Sequence, residues 1–186
     1  MDLAFDPIIA WTARLLLALV LATAALAKLR ALDEFIGVVH NYRVLPEPLV
    51  RPVAYVLPPL ELMLAAGLLL EPTRALAAAA TAALLAVFAL AMAINIGRGR
   101  TEIDCGCFTN ALKERLGWAL VVRNLVLIGL ALLALPVGLP ARPLIWLDLV
   151  TIAAATAAGA LLYVAFSRLA GVAPLAPSAM ARHRHA

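Results

Sequence analysis

Charge is scarce in this chain. Asp, Glu, Lys and Arg make up 14% of its 186 residues, too few to coat a globular surface, where about a quarter is usual. Cysteine is rarer still: there are two, which excludes a disulfide-stapled scaffold and a zinc site built from four thiolates. Of the three histidines, His40 stands alone, and His183 and His185 lie in a basic tail without motif spacing. No metal site is expected. β-Branched and aromatic runs of the kind that build strands are weak. Lipid demands internally satisfied backbone groups, so a barrel gives way to helices.

Apolar residue is what the chain has in excess, at 65%, with a mean hydropathy of +1.00. It comes in blocks of about 20 residues, the length that crosses a bilayer as a helix. Five blocks qualify: Ile8 to Leu29, Leu49 to Leu70, Arg74 to Ile96, Trp118 to Val137, and Leu144 to Phe166. The expected fold class is therefore all-α, a polytopic transmembrane helix bundle in a multi-pass membrane protein. Residues 1–170 would form one membrane domain and 171–186 a disordered basic tail. The first block also resembles a secretory signal ending in Ala25-Leu26-Ala27, but Asp2 and Asp6 make its leading region acidic, which argues against cleavage.

The connections are unequal. Glu71-Pro72-Thr73 and Gly138 to Pro143 are short and rich in proline, whereas Ala31 to Pro48 and Gly97 to Gly117 are long and polar. Alternating helices place both long loops on one side. That side and the tail hold Lys28, Arg30, Arg43, Arg51, Arg98, Arg100, Lys113, Arg115, Arg168, Arg182 and Arg184, against Arg74 and Arg142 opposite. The positive-inside rule then puts the long loops in the cytoplasm. The formal net charge of +4 is accounted for in this way, with lipid as the partner and no nucleic acid. Within the first long loop, Phe35, Val38, Val39 and Tyr42 recur at helical spacing, as in an amphipathic helix at the interface.

Both cysteines fall within three residues, in Asp104-Cys105-Gly106-Cys107-Phe108. A bond between residues i and i+2 needs a bent backbone, which Gly106 permits. It closes so small a ring that it adds little as a staple, and its strain favours reduction. Redox chemistry explains the spacing better than stability does. Cys105 and Cys107 are the candidate catalytic pair. Lys113 and Arg115 would favour a thiolate, and Asp104 would oppose one or accept its proton. The other readings are an inert pair and a two-thiolate metal site.

Ionisable and amide groups inside spans are the next candidates. Glu61 follows Pro58-Pro59 in the second span, where the prolines would kink or start the helix. Arg14 in the first span is expected to pair with Glu61 or with Asp148, as a structural ion pair, the other reading being that it snorkels to the surface. Asn95 ends the third span. Arg123 and Asn124 open the lipid-embedded part of the fourth, Arg123 turning to the cysteine loop, to an anion or to the surface, and Asn124 bridging helices. The alanine-rich stretches Ala75 to Ala80 and Ala153 to Ala160 suit close helix packing.

Taken together, Asn41-Tyr42-Arg43-Val44-Leu45-Pro46, Glu61 with its apolar helix, Cys105-Gly106-Cys107-Phe108, and Arg123-Asn124 resemble the MauE family, within the DoxX-like group of redox-associated membrane proteins. The resemblance covers about the first four spans, the Cys-Gly-Cys-Phe element being its most specific part. Family members often carry Gly after that Phe, where this chain has Thr109. The resemblance implies a four-helix core with a fifth, C-terminal helix. It also implies a thiol–disulfide role with a thioredoxin-like partner in maturing a disulfide-rich client, by family association a methylamine dehydrogenase subunit, at the cell (inner) membrane. The supporting set would be Asp104, Gly106, Phe108, Tyr42, Arg43, Glu61, Asn95, Arg123 and Asn124. The architecture is also analogous to membrane thiol oxidoreductases that pass electrons to a quinone, for which a site near Arg123 and Asn95 is the expectation. The alternative is a non-catalytic membrane scaffold or assembly subunit. Disulfide formation outside the cell would want the cysteines on the outer side, against the basic-residue tally.

Overall fold

The computed structural model describes residues 7–100, 116–135 and 144–172, with side chains as far as Leu169. Six α-helices fill them: α1 Pro7–Arg30, α2 Leu32–Tyr42, α3 Glu47–Leu69, α4 Arg74–Gly97, α5 Trp118–Leu133 and α6 Trp146–Val172. A 3-10 turn, Glu71–Thr73, joins α3 to α4. No strand occurs among the described residues. The chain is a polytopic helical bundle. Four of its helices, α1, α3, α4 and α6, are long and apolar enough to cross a membrane, whereas α5 is shorter at 16 residues. At 1.5 Å per residue α5 spans about 24 Å, less than the usual hydrocarbon core.

α1 is the axis. It packs against α3, α5 and α6 and touches α2, while α4 packs on α3 and α5. Its buried face runs Ala13, Arg14, Leu17, Ala18, Leu21, Ala24, Ala25 and Lys28, a stripe of spacing 3 and 4 that any helix with one enclosed side must show. Leu64, Ala65 and Leu68 of α3, Ala77, Ala78 and Leu85 of α4, and Leu127 and Ala131 of α5 belong to the same buried cluster.

α3 and α4 approach closely through small residues. A Cβ on Gly67 would lie 3.0 Å from the Cβ of Ala77, so the expected alanine-rich contact of the third span is present. In the fifth span, Gly159 is similarly close to Leu16, but most of the surrounding alanines are exposed.

Three details depart from expectation. Pro58 and Pro59 do not start a helix, since α3 runs without interruption from Glu47; the neighbouring helices hold it in place across the lost backbone donors. α6 extends through Gly171 and Val172 into the expected tail, whose remainder lies outside the described residues. The two charges expected to meet, Arg14 and Glu61, each have another partner.

Candidate functional site

Two buried cations sit on the single enclosed stripe of α1, one towards each end. Arg14 is fully buried. Its Nε donates to the carbonyl of Leu68 at 2.7 Å and its Nη2 to that of Leu69 at 3.2 Å. Its Nη1 donates to Oε1 of Glu71 at 2.7 Å, and the guanidinium lies 3.9 Å over the Trp11 ring. The last carbonyls of a helix have no partner of their own and carry partial negative charge, so a cation placed there closes α3. The expectation that Arg14 pairs with Glu61 or Asp148 is corrected. Asp148 instead accepts from the backbone N–H of Ile145 at the start of α6, 3.0 Å away. Arg14 lies level with the end of α3, whose last carbonyls it meets, whereas Glu61 lies about two turns earlier in α3, beside Lys28.

Glu61 is paired with Lys28. Both are buried, at 1% and 3% exposure. The sequence reading had assigned Lys28 to the loop side as an orientation charge, so this partner was missed. The signal was available: Lys28 continues the spacing of Leu17, Leu21 and Ala24 on the enclosed face, where an ordinary surface lysine does not belong. The Lys28 ammonium also stands 5.4 Å from the centroid of Phe35 and 5.3 Å from that of Phe88, within cation–π range of both. Its remaining N–H groups have no hydrogen-bond acceptor among the described residues. The second carboxylate oxygen of Glu61, Oε2, is buried and has no hydrogen-bond partner there either.

A pocket of about 240 Å³ opens beside Lys28. α2 supplies Phe35, Val38, Val39 and Tyr42, so the amphipathic helix expected in the first long loop is present and its apolar face is the one turned inwards. Val44 and Leu45 of the α2–α3 connection, Val53 and Leu57 of α3, and Leu84, Val87, Phe88, Ala91 and Met92 of α4 complete the walls. Lys28 is the one charged residue of the lining.

Tyr42 thus belongs to the pocket. Arg43 ends α2 in the left-handed region, with φ 46°, turning the chain towards α3. Its carbonyl accepts from Nη1 of Arg98 at 3.3 Å, which ties the α2–α3 corner to the end of α4.

Asn95 is fully buried near the end of α4. Its Nδ2 donates to the carbonyl of Ala91 at 3.0 Å. Its own carbonyl accepts from the N–H of Arg100, and its Oδ1 accepts from Nη1 of Arg100 at 3.4 Å. Asn95 therefore fixes the stub from which residues 101–115 depart. On α5, Nη1 of Arg123 donates to Oγ of Ser167 on α6 at 2.9 Å, and the guanidinium lies 5.4 Å from the Tyr163 ring. Asn124 reaches α4 through a long contact of 4.0 Å to the sulfur of Met92. Asn124 bridges helices as expected, and Arg123 binds α6 rather than snorkelling to the surface. Asp104, Cys105, Gly106, Cys107 and Phe108 lie outside the described residues. Glu61, Tyr42 and Arg43 gather around α2, whereas Arg123 and Asn124 join α5 to α6 and α4, and Asn95 ties the end of α4 to Arg100.

Comparison with known proteins adds to this geometry. Residues 6–137 match the sequence model of a family described as "Methylamine utilisation protein MauE". Among curated proteins, the chain is 50% identical over 172 residues to the "Methylamine utilization protein MauE" of Paracoccus denitrificans, covering 92% of each chain. It is 50% identical over 173 residues to the protein of that name in Paracoccus versutus, covering 93% of each. Against that of Methylorubrum extorquens it is 48% identical over 147 residues, covering 77% of this chain and 78% of the relative. No solved structure matches the chain.

Proposed function

The chain belongs to the MauE family, and from that premise we propose that it is a thiol–disulfide exchange protein of the cell (inner) membrane, acting in methylamine utilisation. The observation that carries this reading is the pairing of the only two cysteines across a single glycine. Such a pair can join only in a strained ring, and strained disulfides are the exchangeable ones.

In one direction, a thiolate of the pair attacks the disulfide of a thioredoxin-like partner. One partner sulfur leaves as a thiolate, and a mixed disulfide forms. The second cysteine, as thiolate, attacks the sulfur of the first. A Cys105–Cys107 disulfide forms, and the partner departs as a dithiol holding the two electrons. The reverse sequence oxidises the partner, which then oxidises a disulfide-rich client. Relative reduction potentials decide the direction.

Asn95 anchors the chain just before the cysteine segment through Arg100. Leu116, where the described chain resumes, is buried against Met92 and Leu120. The same side of the bundle carries α2 and its pocket. Lys28 is an internal charge, so it leaves the orientation tally; the remaining basic residues still outweigh Arg74 and Arg142 and favour a cytoplasmic cysteine segment.

Trapping tests the proposal. Cys105→Ser or Cys107→Ser, expressed in cells, should accumulate a covalent complex that non-reducing electrophoresis resolves and reductant dissolves. A double Cys105→Ser, Cys107→Ser variant that still supports full growth on methylamine would sink the reading and favour the scaffold alternative. An impermeant maleimide applied to intact cells reports on which side the thiols lie.

A further inference from the structure

The pocket at Lys28 has the construction of a ligand site that the thiol chemistry does not use. Its walls are apolar throughout, from Val38, Val39, Val53, Leu57, Leu84 and Val87, with rings from Phe35, Tyr42 and Phe88. Val87 is 61% exposed and Val44 43% exposed, so the mouth faces outwards through apolar side chains, where a bilayer would be. The entrant is therefore lipid-soluble.

The floor sets its polarity. Lys28 and Glu61 are both buried and neutralise one another, so the site has no net charge to attract an ion, and desolvating one there is costly. The pair is nevertheless incompletely satisfied. The ammonium has three N–H donors and uses one on Glu61, and Glu61 Oε2 accepts nothing among the described residues. Buried polar groups are normally saturated. An oxygen entering between the Phe35 and Phe88 rings, each about 5.4 Å or less from the ammonium, would accept from Lys28. A flat ring in the slot would gain offset or edge contacts with the aromatic walls. An engineered apolar cavity of about 150 Å³ holds a benzene ring, so about 240 Å³ takes a substituted ring and the start of a tail.

We infer that this pocket binds a neutral, lipid-soluble molecule consisting of a flat ring with a carbonyl or hydroxyl oxygen, the ring held among Phe35, Tyr42 and Phe88 and its oxygen accepting a hydrogen bond from Lys28. This goes beyond the thiol proposal and does not depend on it, since no cysteine takes part in the binding.

The test is equilibrium binding to the purified full-length chain in lipid nanodiscs, with three probes. An alkyl benzoquinone carries ring and oxygen; the matching alkylbenzene carries ring alone; dioleoylglycerol carries ester and hydroxyl oxygens without a ring. Saturable binding of the benzoquinone, at least about tenfold tighter than the alkylbenzene, is expected from one hydrogen bond to a charged donor. Val87→Trp, which fills the mouth, should abolish it. Lys28→Met alone strands Glu61 and endangers folding, so the paired variant Lys28→Met, Glu61→Leu carries the test of the floor. It should remain folded, by circular dichroism and by a monodisperse elution profile, and bind the benzoquinone at least about tenfold more weakly. Binding of dioleoylglycerol in preference to the benzoquinone overturns the assignment of a ring. Equal binding of benzoquinone and alkylbenzene, or a paired variant that is folded and binds unchanged, overturns the role of Lys28. Absence of saturable benzoquinone binding overturns the site. Because none of these measurements involves Cys105 or Cys107, a failure here leaves the trapping experiment untouched.

Discussion

The two ends of α1 handle the same problem, a cation inside an apolar bundle, in opposite ways. Arg14 is closed off. Each nitrogen of its guanidinium has an acceptor, two of them carbonyls of α3, and Trp11 covers its face. Lys28 is left open, with one partner, two rings beside it and a pocket above. The planar fork of arginine matches several fixed acceptors at once, whereas a lysine ammonium is a compact donor with N–H groups to spare. Saturation marks the first as a structural joint. Reserve capacity next to a cavity marks the second as a place where something else binds.

Substitutions can break or sharpen this contrast, and all are read as unfolding free energies from denaturant titration in mixed micelles. Lys28→Met should have the largest effect, a loss of about 3–5 kcal/mol, because it leaves the Glu61 carboxylate buried and alone. Arg14→Met should follow at about 2–4 kcal/mol: the carbonyls of Leu68 and Leu69 lose their donor while Glu71 can still turn to Arg74 or to water. Gly67→Leu should cost about 1–3 kcal/mol, since even a Cβ there would crowd Ala77. Replacing both members of the inner pair, Lys28→Met with Glu61→Leu, should return stability to within about 1 kcal/mol of the original chain, as buried ion pairs exchanged for apolar groups often do. If the double variant stays as unstable as Lys28→Met alone, the pair is a structural joint like Arg14 and the contrast fails. Arg43→Gly should have the smallest effect, a gain of about 0.5–1 kcal/mol, by relieving a left-handed φ of 46°.

The bundle was readable in the sequence because the membrane makes hydropathy nearly sufficient. The expected spans and the helices α1, α3 and α4 agree to within two residues at each described end. α2 was readable for a different reason, the spacing of Phe35, Val38, Val39 and Tyr42, and that spacing also picked out the wall of the pocket. What hydropathy does not carry is the rotation of each helix about its axis, and ion pairing depends on that rotation. Arg14 was assigned a partner by depth alone, and depth cannot distinguish Glu61 from the carbonyls at the end of α3. Lys28 was missed because its position near the end of a span made it look like a boundary charge. Its register with Leu21 and Ala24 was the better guide. The cysteine pair was identified by spacing, and its chemistry remains a reading of sequence and kinship, since it lies outside the described residues.

The placement of both buried cations on α1 has a consequence for biogenesis. α1 leaves the ribosome before α3, carrying Arg14 and Lys28, while Glu61 and Glu71 follow 33 and 57 residues later. A basic residue costs up to about 2.5–3.5 kcal/mol at the centre of an inserting helix and less towards its ends, and the carboxylate that each of these two meets in the bundle is not yet made. Both debts are settled by the same later segment, α3 and the turn that ends it. Both seams can close only once α3 has been made, so the first and third helices complete each other's polar pairing as a hairpin.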